Sequence, residues 1–77
     1  MNRPYGRQDA KMRAKLESNH AETWRGAVSE RLGFVETAEN EADRIAAEGC
    51  LEVARRKLAF ARECAAAYER IARGENP

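Results

Sequence analysis

Apolar positions recur with helical spacing along most of the chain, and the segment from Cys50 to Arg73 carries the widest apolar face. At ~100° per residue, Val53, Phe60, Cys64 and Ile71 fall on one ridge and Leu51 and Leu58 on another. Between them runs a groove of Ala54, Ala61, Ala65 and Ala72. The apolar arc spans roughly 200°, twice the ~100° stripe of a helix that buries one side. Such a helix packs against more than one neighbour.

Upstream, Met1 to Gln8 reads as a flexible basic arm interrupted by Pro4 and Gly6. Asp9 can cap a first helix running to Leu32, with Trp24, Ala27, Val28 and Leu32 on one side. Gly33 suits the left-handed residue that ends a helix, with Phe34 folding back on Val28. A second helix then starts near Glu36 or Thr37 and runs to Arg73, where Gly74 stops it. A glycine inside a helix costs ~1 kcal/mol against alanine, so Gly49 allows a three-helix alternative. No turn-forming residue flanks Gly49, however, and a stripe from Val35 through Ala42, Gly49, Val53 and Phe60 passes it in phase. The preferred reading is one unbroken helix of about 57 Å.

The expected architecture is an all-α helical hairpin of two antiparallel helices, with residues 1–8 as the arm, 9–74 as the single domain and 75–77 as a tail. Counting outward from a turn at Phe34 and Val35 sets Trp24 level with Ile45, His20 with Cys50 and Asp9 with Phe60. The second helix then overhangs the first by three turns. Leu51, Ala54, Leu58, Ala61, Cys64, Ala65, Tyr68, Ile71 and Ala72 become the expected oligomer interface, because uncovered apolar surface marks contact sites. A chain of 77 residues has a marginal core of its own, which also favours a homodimer or higher oligomer.

Composition agrees with this fold class. Ala, Glu and Arg dominate, β-branched residues are few, and 43% of residues are hydrophobic, too many for a disordered tail. No uncharged run is long enough to span a bilayer, and the first residues lack the apolar core of a signal peptide, so the expected setting is cytoplasmic, away from the membrane. Cys50 and Cys64 lie about 21 Å apart on one helix, which excludes an intrachain disulfide.

Candidate chemistry is sparse. His20 beside Cys50 would be half a metal site or a nucleophile pair with no third member. Lys57 interrupts the apolar arc, its stem covering apolar surface or its charge meeting an acid of a partner. There is no phosphate-binding glycine loop, no metal-ligand cluster and no distinct carboxylate pair, so the expectation is a non-enzymatic protein without cofactors. A helix-turn-helix over residues 28–46 would point Glu36, Glu39, Glu41 and Asp43 at phosphates, which repel them.

Charge is strongly segregated. Residues 17–52 hold nine acids and three bases, and the rest of the chain holds eleven bases and four acids. The expected hairpin gathers Arg3, Arg7, Lys11, Arg13, Arg55, Arg56 and Arg62 near its open end as a polyanion-binding candidate. Trp24-Arg25-Gly26 resembles the W-x-G signature of the small helical-hairpin substrates of type VII secretion. That family carries the motif in the turn between its helices, whereas the turn expected here is at Gly33, and Tyr68 lacks an acid four positions on. In outline the hairpin is similar to oligomerisation hairpins of phage packaging proteins, with no motif behind the likeness. The expected role is a small adaptor, inhibitor or regulator of an unidentified protein, of phage or mobile-element style. The alternative is a nucleic-acid-binding accessory protein using the basic end.

Overall fold

The structure, a computed structural model, describes residues 6–74. Two helices, α1 (Arg7–Glu36) and α2 (Glu41–Ala72), form an antiparallel hairpin. It is a rod with extents of 58 × 17 × 15 Å. The helices contain 30 and 32 residues, so neither outruns the other. The expected three-turn overhang does not exist. Arg7 and Gln8, expected in the arm, form the first turn of α1, while Arg3 and the 75–77 tail lie outside the described residues.

The turn lies later than Gly33 because local chemistry is stronger there. Gly33 is helical, and among the described residues positive φ occurs only at Gly74, which ends α2 as expected (φ 88°). Thr37 closes α1: its amide donates to the Gly33 carbonyl at 3.0 Å, and its hydroxyl donates to the same oxygen at 2.9 Å. Three residues on, Asn40 caps α2. The Asp43 amide donates to Asn40 Oδ1 at 2.8 Å, and Asn40 Nδ2 donates to Asp43 Oδ2 at 3.0 Å. This reciprocal pair follows the logic of a capping box. Glu41 and Asp43 also favour the positive end of the helix dipole. At the other terminus Gly6 occupies the N-cap position and offers no side chain, so Asp9 sits in the first turn and does not cap it.

Packing follows a seam of alternating three- and four-residue steps. On α1 it runs Ala10, Ala14, Glu17, Ala21, Trp24, Val28, Arg31, Val35. On α2 it runs Ala47, Leu51, Ala54, Leu58, Ala61, Ala65, Tyr68, Ala72. This is the heptad spacing of a coiled coil. Every one of these positions is buried or half-buried, and only six other described residues are. Matched in antiparallel order, the two seams pair positions that sum to 82, setting Ala10 against Ala72, Ala21 against Ala61 and Val28 against Ala54. Cross-helix contacts agree to within a residue. Arg31 Nη1 donates to the Cys50 carbonyl at 3.0 Å, and the Arg7 guanidinium lies over Gly74.

Leu51, Ala54, Ala61 and Ala65 are therefore buried beneath α1, where the sequence suggested an intermolecular contact. Alanine along the seam lets two helices approach closely but buries little area per residue. No large side chain is fully buried among the described residues. The core is real but thin.

The turn assignment predicts that Asn40→Ala costs about 1 kcal/mol in chemical denaturation, since it orphans the Asp43 amide and breaks the reciprocal bond. Gly33→Ala and Gly49→Ala should each stabilise by up to ~1 kcal/mol. Both glycines are helical, and nothing lies within 4 Å of the added methyl.

Candidate helix-docking surface

A second stripe with the same spacing lies one residue back from the first on α2: Ala46, Cys50, Val53, Lys57, Phe60, Cys64, Ala67, Ile71. One residue corresponds to ~100° of rotation, so this stripe looks sideways out of the hairpin. Cys64, Ala67 and Ile71 are half-buried at its edge. Val53 and Phe60 are 49% and 64% exposed. The wide apolar arc seen in the sequence thus divides into two helix-packing seams, one filled by α1 and one left uncovered by the described residues. Lys57 is the one charged residue in the second stripe. Of the nine residues expected at an oligomer interface, Leu51, Ala54, Leu58, Ala61, Ala65, Tyr68 and Ala72 lie on the seam that α1 fills. Only Cys64 and Ile71 lie on the second stripe; the three–four alternation separates the two groups.

The side of the rod carrying this stripe also holds Leu16 and Phe34 of α1, 54% and 56% exposed. The opposite side is polar. There a shallow groove is lined by Ser18, Ala21, Glu22 and Arg25 of α1 against Arg62, Ala65, Ala66 and Glu69 of α2. Glu22 is engaged with Arg25 at 2.8 Å.

The ends of the rod carry opposite charge. The open end collects Arg7, Lys11, Arg13, Lys15, Arg70 and Arg73 against Asp9 and Glu69. Lys11, Lys15 and Arg73 line one groove there with Glu69. The turn end holds Glu30, Glu36, Glu39, Glu41, Asp43 and Glu48 against Arg31 and Arg44. The hydrogen bond that Arg44 donates to the Glu41 carboxylate, then the charge of Glu48, hold the Arg44 guanidinium above its ordinary range. The later turn moves part of the expected polyanion site. Arg55 and Arg56 lie near mid-rod, about 25 Å from the C-terminal end of α2. Arg56 is paired with Glu52 at 3.1 Å. Arg62 faces Glu22 and Arg25 across the polar groove. Arg7, Lys11 and Arg13 do share the open end, while Arg3 lies outside the described residues.

His20 and Cys50 are not neighbours, because the same shift carries Cys50 to the level of Arg31. His20 Nδ1 instead meets Glu17 Oε1 at 2.7 Å. Glu17 is an acid on the first seam, and it also reaches Cys64. Desolvation and then the Glu17 carboxylate push the Cys64 thiol upward, since a thiolate beside a carboxylate is disfavoured. A thiol held protonated is a poor nucleophile. No group of three metal-ligating side chains converges among the described residues. Trp24 lies mid-helix, its ring 5.8 Å from the Arg31 guanidinium carbon, so Trp24-Arg25-Gly26 does not form the turn of the secretion-substrate hairpins. Among the described residues no helix is long and apolar enough to cross a membrane. No family model, curated protein or solved structure matches the chain.

Glu17→Gln removes the hydrogen bond and the charge that oppose thiolate formation at Cys64. Iodoacetamide should therefore alkylate Cys64 faster in that variant at pH 8, read by mass spectrometry of the two cysteine peptides. An unchanged rate would leave desolvation and the charge of Glu63 as the causes.

Proposed function

We propose that this protein is a non-enzymatic docking module, an adaptor, inhibitor or regulator that works by seating another helix on the second stripe of α2. The observation carrying this reading is the stripe itself. Eight positions in unbroken three–four alternation, with Val53 and Phe60 exposed at its centre, have the pattern of a helix-packing seam and lack a partner helix among the described residues. Coiled-coil seams of this kind are read by apolar knobs at i, i+3, i+4 and i+7, one of the common modes of helix recognition. A seat for a helix does not require catalytic groups. The protected thiol at Cys64, beside a half-buried Glu17 engaged with an exposed His20, is consistent with that role.

A second reading rests on the open end, where six bases face two acids among the described residues. Such a cluster suits weak, sequence-independent contact with DNA or RNA. The two readings separate by residue and by salt. Helix docking should be lost in Phe60→Glu and persist in half-molar salt. Binding to labelled duplex or single-stranded oligonucleotide should be lost in Lys11→Glu with Arg70→Glu, survive Phe60→Glu, and fall steeply as salt rises. Fluorescence anisotropy at low salt measures the second. No signal at ~50 micromolar protein, on the order of typical non-specific affinities, would remove the nucleic-acid reading.

A further inference from the structure

We propose that the occupant of the second stripe is a second copy of this chain, packed antiparallel to the first in a two-fold four-helix bundle. The inference rests on the docking role of the stripe and names its partner.

The order of residues along the stripe is the first argument. Its steps of four and three read the same from either end, so the stripe is self-complementary about a point between Lys57 and Phe60. In that antiparallel register Ala46 meets Ile71 of the second copy, Val53 meets Cys64, and Lys57 lays its stem on Phe60. Ala46 against Ile71 and Cys64 against Val53 set a small residue against a larger one, Cys50 meets Ala67, and the lone lysine meets an aromatic face. At the flank, Arg56 of each copy faces Glu63 of the other. The parallel alternative stacks Lys57 on Lys57 at the centre of the stripe.

Electrostatics at longer range agrees. Antiparallel packing sets the acidic turn end of each rod beside the basic open end of its neighbour, whereas parallel packing joins like with like. The angle between the two stripes, ~100° by helix geometry, is close to the right angle at the corner of a four-helix bundle.

The first helix supplies an independent check. Leu16 and Phe34 lie on the same side of the rod and are exposed. The same two-fold axis brings Leu16 of each copy to Phe34 of the other, around a midpoint at Arg25. The hairpin register sets Arg25 level with Lys57, while the stripe's own midpoint lies between Leu58 and Ala59. The two axes therefore agree to about 2 Å. One rotation serves both helices.

Area and core size complete the case. One face of a rod of these extents projects roughly 900 Å², comparable to the ~800 Å² per partner of a standard interface. The isolated hairpin buries no large side chain completely, so a second layer provides the core that a chain of this size otherwise lacks.

Light scattering on the full chain at ~20 micromolar should give the mass of two chains, and Phe60→Glu should shift it to one. Orientation is tested in a Cys50→Ala background, where Cys64 is the remaining thiol. Adding Val53→Cys should allow copper-phenanthroline oxidation to link position 53 of one copy to Cys64 of the other. Within one helix those positions are ~16 Å apart, beyond disulfide reach. Cys50→Ala alone should not cross-link, because its two Cys64 thiols lie equally far apart. A cross-link in Cys50→Ala alone means parallel packing and overturns the proposal. A folded, helical wild-type protein of single-chain mass overturns the second copy and leaves the docking role to the Phe60→Glu comparison. A two-chain mass that survives Phe60→Glu overturns both readings. If Phe60→Glu instead unfolds the chain, the cross-linking pattern decides alone.

Discussion

Everything in this molecule is arranged around the alanine-rich seam between α1 and α2. Alanine is the best helix former and costs no side-chain entropy on burial, so a seam built from it yields two long, regular helices at little local cost. Its weakness is the reverse of that strength. A buried alanine removes little apolar surface from water, and only Leu51, Leu58, Trp24, Val28, Val35 and Tyr68 add bulk to the seam. The hairpin is thereby well specified in register but thinly stabilised. Arg31 reinforces the register, since its guanidinium reaches both the Trp24 ring and the Cys50 carbonyl on the opposite helix.

That register determines what the surface can do. Because facing positions sum to 82, the bases of both termini converge at the open end and the acids around Asn40 stay at the other. The ion pairs along the rod, such as Glu22 with Arg25 and Glu52 with Arg56, are exposed and within one helix, so each contributes little to stability. Their larger effect is to leave the net charge of the two ends as the dominant electrostatic feature. A thin core, a second packing seam and oppositely charged ends are three separate properties. An antiparallel partner satisfies all of them at once.

The chain by itself determined more of the fold than of the site. Two antiparallel helices, an unbroken α2 through Gly49 and its stop at Gly74 were all legible, because propensity and helical period act locally and Gly49 lacks turn residues around it. The breadth of the apolar face on α2 was legible for the same reason. The turn was misplaced because Gly33 looked like a terminator on its own. The bonds of Thr37 to Gly33 and of Asn40 to Asp43 outweigh the helical cost of one glycine. The alternation Ala10, Ala14, Glu17, Ala21 through Val35 held the remaining evidence, since it crosses Gly33 without a change of phase.

Tertiary structure alone decided which residues share a level. In a hairpin, moving the turn by n residues slides the helices past one another by 2n, so a small local misreading becomes a large displacement at the far end. That is why the overhang vanished, why His20 meets Glu17 and not Cys50, and why Arg55 and Arg56 lie at mid-rod. Periodicity reports the angle of a residue around its helix, which depends only on neighbours in the chain. Level along the rod depends on where the chain reverses, and here that was set by hydrogen bonds at Thr37 and Asn40 and by the packing of one seam into the other.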